Sequence, residues 1–131
     1  MRKTTRGSCL CGAITYEIEG DLRPIVACHC TQCRKASGHY AAATQAEQKN
    51  IAIKGETLRW FRSSDAAERG FCSRCGSNLF WRRFNAAHIS IWAGSIDGPT
   101  ELRIESQLYT ESAGDYYVLP DIPIIRQSSL R

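Results

Sequence analysis

Short segments in which hydrophobic and polar residues alternate run through most of the chain, with the period of half-buried β-strands. In residues 13–19 the side chains of Ile14, Tyr16 and Ile18 alternate with polar partners, and a glycine and an aspartate end the run. Turn-prone residues separate these segments, so the connections are short. Further strands are predicted over residues 40–43, 51–53, 57–62, 68–71, 78–84, 88–93 and 101–109.

No long segment of helical period competes with this pattern. Residues 34–38 form one candidate helical turn, which Gly38 would end. The alternation therefore predicts a mainly β, mostly antiparallel fold with one or two short helices. With 131 residues, 43% of them hydrophobic, the chain can bury one modest core. We expect a single domain over residues 1–131, with its core at about 7–125 and a loose tail at 126–131.

No apolar run approaches the ~18 residues of a membrane span. The basic residues 1–6 lead into Gly7 and not into the apolar segment of an export signal. We therefore expect a cytoplasmic protein without a membrane partner. The net charge of +4 counts every cysteine as neutral. Seven thiolates on two Zn²⁺ would bring the charge close to zero, which favours an ordinary solvated surface over a nucleic-acid platform.

Seven cysteines are a high number for a chain of this length. A disulfide framework and metal ligation are the two interpretations that could explain them. An odd number does not fit a closed set of disulfides. In a reducing compartment, closely spaced cysteines are typical of metal sites. Metal ligation is therefore the favoured interpretation.

Two cysteine pairs, far apart in the sequence, could form one metal site. Cys9 and Cys11 are separated by one residue, and Cys72 and Cys75 by two. Together they offer four thiolates, the closed tetrahedral set of a structural zinc. A glycine follows each pair and can adopt the positive φ that a tight turn often requires. The alternative is two unrelated pairs of buried free cysteines.

The other three cysteines lie within six residues, in Cys28-His29-Cys30-x-x-Cys33. In an extended chain Cys28 and Cys30 face one side while His29 faces the other. A turn beginning at Cys30 would bring Cys33 back as the third ligand. Three protein ligands and one open position are the pattern of a catalytic zinc.

Other interpretations of this cluster stay open. His29 could be a fourth ligand, Cys30 and Cys33 could form a redox-active pair, or the three thiols could be metal-free and prone to oxidation. Three thiolates on Zn²⁺ carry a net negative charge, and Arg34 and Lys35 follow the last ligand directly. We hypothesise that these two residues, with His29, compensate that charge and attract an acidic substrate. A solvated basic turn is the alternative.

Four motifs occur in order along the chain: Gly7-Ser8-Cys9-x-Cys11-Gly12, Cys28-His29-Cys30-x-x-Cys33-Arg34-Lys35-x-x-Gly38, Arg69-x-Phe71-Cys72-x-x-Cys75-Gly76-Ser77 and Ala93-Gly94-Ser95-Ile96-Asp97. With them the chain resembles the glutathione-dependent formaldehyde-activating (GFA) enzyme family, also called the centromere-protein-V domain family. The resemblance covers most of the chain, and several ordered motifs with matching internal spacing are highly specific as a set.

The resemblance implies a tent-like, zinc-ribbon-related β fold that binds two zinc ions. Cys9, Cys11, Cys72 and Cys75 would hold a structural zinc, and Cys28, Cys30 and Cys33 a catalytic one. The family's named activity joins formaldehyde to the thiol of glutathione, as a carbon–sulfur lyase acting in reverse. A small thiol and an aldehyde are then the expected substrates. A non-catalytic zinc module that binds a protein partner, and a redox-sensing cluster, are the competing functions.

One segment departs from the family pattern. Where family members often have a basic and aromatic stretch, this chain has Gln107-Leu108 followed by an acidic Glu111-Ser112-Ala113-Gly114-Asp115. Glutathione carries carboxylates that prefer cations, so this departure leaves the identity of the thiol open. The tryptophans and phenylalanines are expected to form the core and cross-strand pairs, and His39 and His88 to be structural or on the surface.

Overall fold

The computed structural model describes residues 3–126 of the chain. One α-helix in this part, α1, spans Thr31–Ser37, and three short 3₁₀ turns lie at Gln48–Asn50, Ala93–Ser95 and Thr110–Ser112. The strands are β1 (Thr4–Ser8), β2 (Thr15–Glu19), β3 (Ile25–Cys28), β4 (Ala41–Glu47), β5 (Ile51–Lys54), β6 (Leu58–Arg62), β7 (Ala67–Cys72), β8 (Asn78–Arg83), β9 (His88–Trp92) and β10 (Ile104–Leu108).

These strands form two sheets. The smaller sheet has the order β1-β2-β5, and the larger has the order β10-β3-β4-β9-β8-β7-β6. Only β10 and β3 pair in parallel among these strands. The predicted mainly β, mostly antiparallel fold with a short helix is therefore confirmed. The single-domain boundaries stay a prediction, and residues 127–131 of the expected tail lie outside the described residues.

The core lies between the two sheets. Ile14, Tyr16 and Ile18, whose alternation marked β2, are fully or almost fully buried. They pack in one cluster with Phe80 of β8 and Ile91 of β9, and the rings of Tyr16 and Phe80 meet edge to face at 5.5 Å. Burying one such side chain contributes roughly 1.5–3 kcal/mol. The smaller sheet therefore covers one face of the larger one.

The opposite face of the larger sheet forms the floor of a cavity. Side chains two residues apart on one strand point to the same face. In the register of the sheet Arg69 lies beside Trp81, Trp81 beside Ser90, and Ser90 beside Gln45. All four line the cavity, as does Trp92 of β9. The side chains on this face are therefore available to a ligand.

The aromatic residues divide between these environments, which corrects part of the expected core. Phe80 is fully buried, and Trp60 packs against it with ring centroids 6.0 Å apart. Trp81 and Trp92 instead line the cavity. Phe61 and Phe84 are exposed. A buried sheet offers two faces of similar composition, so the sequence pattern alone did not distinguish core from cavity.

Helix α1 begins one turn earlier than the sequence indicated. Cys30 is its N-cap, and the Cys30 sulfur accepts a hydrogen bond from the Cys33 amide at 3.3 Å. The helix ends at Gly38, where φ is 81° and the amide donates to the Arg34 carbonyl. Cys33 is the buried residue of this helix. The capping turn at Cys30 therefore brings the Cys33 sulfur to 3.1 Å from the Cys30 sulfur.

Candidate functional site

The first cluster contains the sulfurs of Cys9, Cys11, Cys72 and Cys75, which all lie within 4.8 Å of one another. Cys11 Sγ is 3.6 Å from Cys9 Sγ and 3.8 Å from Cys72 Sγ. Tetrahedral Zn–S bonds of about 2.3 Å place sulfurs about 3.8 Å apart, so the donor set fits this ion. The glycines that follow the two pairs each have φ of 80°, as the turn argument predicted.

Neighbouring groups donate to these sulfurs, as thiolate ligands require. The Ile14 amide lies 3.2 Å from Cys9 Sγ, and the Cys75 amide 3.4 Å from Cys72 Sγ. A hydrogen bond from the Ser77 hydroxyl, aided by backbone amides, lowers the pKa of Cys75 to about 5. The chain therefore presents four sulfurs just after β1 and at the end of β7, in a form suited to a structural metal.

The second cluster contains Cys28, Cys30 and Cys33, whose sulfurs also lie within 4.8 Å of one another. Cys28 ends β3, and Cys30 Sγ lies 3.1 Å from Cys33 Sγ across the first turn of α1. Hydrogen bonds with the Cys28 and Cys33 thiols, and the charge of nearby Arg69, lower the pKa of Cys30 to about 2. In the described residues no other cysteine, histidine or carboxylate joins this group.

A cavity of about 550 Å³ adjoins the three-sulfur cluster, and all three cysteines line it. Its floor is the open face of the larger sheet, including Trp81 and Trp92. The described lining includes three arginines and no aspartate or glutamate; the arginines are Arg23, Arg69 and Arg83. The cavity therefore combines apolar walls with positive charge beside a cluster of three sulfurs that could hold a metal ion.

Residues 4–112 match the sequence profile of the family described as glutathione-dependent formaldehyde-activating enzyme. This chain belongs to that GFA family. The match extends from β1 through the last 3₁₀ turn, so it includes both cysteine clusters of this GFA protein.

Individual relatives agree with this assignment. An uncharacterized lyase of Schizosaccharomyces pombe is 28% identical over 114 residues, which cover 85% of this GFA chain and 82% of the relative. A Halomonas elongata protein whose name carries the family description is 31% identical over 83 residues, or 56% of this chain and 53% of that protein. The crystal structure of a Rhodobacter sphaeroides protein matches with a TM-score of 0.60 and 26% identity, covering 73% of this chain and 91% of that one.

Arg69 contacts the three-sulfur cluster of this GFA protein through its guanidinium group. Its Nη2 lies 3.5 Å from Cys33 Sγ and 4.0 Å from Cys30 Sγ. Its Nε donates to Gln32 Oε1 at 3.2 Å, and the Gln32 amide donates to the Ser63 carbonyl. Helix α1 and the β6–β7 connection therefore both hold the guanidinium against the sulfurs.

The sequence also predicted that Arg34, Lys35 and His29 compensate the charge of the three sulfurs. Arg34 and Lys35 are in the last turn of α1, and Lys35 is exposed. His29 is fully buried, and both its ring nitrogens are hydrogen-bonded, to Tyr117 and Gln107. This bonding opposes the interpretation of His29 as a fourth metal ligand. The role of Arg34 and Lys35 in charge compensation stays a prediction.

We expect Arg69→Gln to weaken metal binding at the three-sulfur cluster by about tenfold to a hundredfold, because a hydrogen bond to a charged group contributes about 1.5–3 kcal/mol. Chelator competition measures this affinity. Arg59→Gln is the matched control, since Arg59 is exposed on β6 and donates only to carbonyls of its own turn in the described contacts. Equal weakening at both clusters, or no weakening, would contradict the role of Arg69.

Proposed function

We propose that this chain is a zinc-dependent enzyme of the carbon–sulfur lyase type. It adds a small thiol to formaldehyde or another small aldehyde, or catalyses the reverse reaction. The observation that carries this proposal is the position of the three-sulfur cluster on the wall of a 550 Å³ cavity. A closed set of four sulfurs suits a structural metal, whereas three sulfurs beside a cavity leave a position for substrate.

Cys28, Cys30 and Cys33 would hold the catalytic zinc, and Cys9, Cys11, Cys72 and Cys75 the structural one. A zinc ion held there would supply Lewis acidity, which would lower the pKa of a substrate thiol. Arg69 offsets the negative charge that the thiolates concentrate there. The indoles of Trp81 and Trp92 exclude water from one side of the cavity.

The reaction joins the two substrates without an oxidant or reductant. The thiol sulfur forms a bond to the aldehyde carbon, the carbonyl π bond breaks, and the carbonyl oxygen takes up a proton. The thiol proton therefore balances the new hydroxyl group. The cavity contributes mainly by holding thiol and aldehyde together in a reactive orientation.

The positive lining of the cavity favours an anionic thiol, of which glutathione is one. The acidic segment of the sequence does not oppose this substrate directly. Tyr109 and Ser112 line the cavity, but Glu111 and Asp115 are exposed and do not. The segment that departs from the family pattern therefore brings no carboxylate to the described cavity wall.

Metal analysis combined with a panel of thiols and aldehydes tests the proposal. We expect two zinc ions per chain in freshly reduced protein and turnover with an anionic thiol plus formaldehyde. With Co²⁺ in place of zinc, adding the thiol should shift the absorption of one metal site. A single bound ion, or two ions whose absorption spectra do not change with any thiol, would support a non-catalytic zinc module instead.

No helix in the described residues is long and apolar enough to cross a membrane. The cytoplasmic location stays a prediction.

A further inference from the structure

His29 lies between two of the metal-ligand cysteines but faces away from them. Its side chain is fully buried. Its Nε2 is 2.9 Å from Gln107 Oε1, and its Nδ1 is 2.7 Å from the Tyr117 hydroxyl. The backbone amide of His29 also donates to the Leu108 carbonyl at 3.0 Å. A buried polar ring with every nitrogen bonded specifies one arrangement of its neighbours.

The partners of Gln107 determine the direction of these hydrogen bonds. Its Nε2 donates to the Pro120 carbonyl at 2.8 Å and to the Ile122 carbonyl at 3.1 Å. These two donations fix the orientation of the Gln107 amide, so that its oxygen faces His29. An amide oxygen only accepts, and His29 Nε2 must therefore donate to it. In the neutral ring Nδ1 then accepts from the Tyr117 hydroxyl. The network thus assigns a single tautomer to His29.

The same contacts attach the C-terminal segment, residues 109–126, to the loop of residues 28–30, which carries Cys28 and Cys30. Tyr117 stacks on the His29 ring with centroids 5.7 Å apart. Gln107 pairs with residues 123–125 through the Gln107 and Ile125 amides. Near the start of this segment, Tyr109 and Ser112 line the cavity. His29 belongs to the loop that carries the sulfurs, and its imidazole bonds to Tyr117 in the segment whose first residues form part of the cavity wall.

We propose that His29 is a positioning residue that fixes the three-sulfur cluster relative to this wall. Cys28 and Cys30 flank His29 directly, so a shift of its ring moves the backbone that carries both sulfurs. Tyr117 and Gln107 prevent that shift. The inference rests on the proposed function in one respect: the wall it positions is taken to contact the thiol substrate.

Tyr117→Phe tests the inference because it removes one hydroxyl and keeps the aromatic ring. Tyr116→Phe is the matched control, since the exposed Tyr116 hydroxyl donates to the Gly38 carbonyl and not to His29. Both variants are compared with the original protein after Co²⁺ substitution. The readouts are the absorption of the thiol-free protein and the affinity for added glutathione.

We expect Tyr117→Phe to change the thiol-free cobalt absorption and to weaken glutathione binding about fivefold, the effect of one lost hydrogen bond. Tyr116→Phe should change neither. A cobalt spectrum and a glutathione affinity that are unaltered in Tyr117→Phe would overturn the positioning role, as would equal changes in the two variants. If the original protein binds no thiol, the proposed function fails, and the thiol-free spectra still decide the role of His29.

Discussion

Cys33→Ser should lower turnover by about a thousandfold or more while leaving the fold intact. A serine hydroxyl stays protonated and is a poor zinc ligand, so the three-sulfur site would lose a ligand along with the several kcal/mol that a catalytic metal contributes. Cys33 Sγ is also the sulfur closest to Arg69, at 3.5 Å. The measurement is kcat/KM with a thiol and formaldehyde, together with the zinc content per chain.

The fold should survive because the contacts that form α1 use the Cys33 backbone. Its amide still donates to Cys30 Sγ, and its carbonyl still accepts from the Ser37 hydroxyl at 2.8 Å. Thermal unfolding should therefore change little, and one zinc should remain at the four-sulfur cluster. Ser37→Ala is a useful companion, because it removes a helix contact without touching a sulfur. Full turnover in Cys33→Ser would refute the catalytic assignment.

The strands of the core could be predicted because their alternation reflects burial on one face. Ile14, Tyr16 and Ile18 are all buried, as their spacing indicated. Strand β1 was missed, since Thr4–Ser8 has no large hydrophobic side chain. It forms through pairing with β2 and through a bridge from Gly7 to Ile96. Backbone pairing of this kind leaves little trace in hydropathy.

The clustering of the cysteines follows from local spacing, but the groups around them do not. The turn at Gly76 and the single-residue spacing of Cys28 and Cys30 could be recognised in the sequence. Arg69 contacts sulfurs more than thirty residues away through the register of β7, which no local pattern specifies. The sequence did hold one indication of the position of Arg69. Alternation along β7 places Arg69 on the face opposite Cys72, away from the four-sulfur cluster.

The hydrogen-bond partners of His29 could not be predicted from the sequence either. Gln107 and Tyr117 are the first and last residues of the whole divergent segment, 107–117, whereas the sequence prediction was based on its acidic residues. The structure shows that the neutral residues of the segment make the buried contacts, while Glu111 and Asp115 are exposed. Burial thus determines which substitutions in a segment affect a site, and a charge count does not.

Cys72→Ser should unfold the protein, the largest structural effect that we expect from one substitution. Cys72 is fully buried, belongs to the core cluster, and ends the strand that leads into the four-sulfur turn. Structural zinc contributes about 10–16 kcal/mol of apparent binding free energy, comparable to the whole 5–15 kcal/mol stability of a typical domain. Losing one ligand from a set that joins β1 to β7 therefore removes a large part of the stability.

Circular dichroism and thermal unfolding measure this effect, and chelation of the original protein should reproduce it. Cys28→Ser is the matched control, because it also replaces a cysteine with serine but leaves the four-sulfur cluster complete. That control should lose activity while it retains the cooperative unfolding of the original protein. A folded, zinc-binding Cys72→Ser variant with an unchanged Tm would mean that the two sheets are held together without this metal, by the Tyr16 and Phe80 core alone.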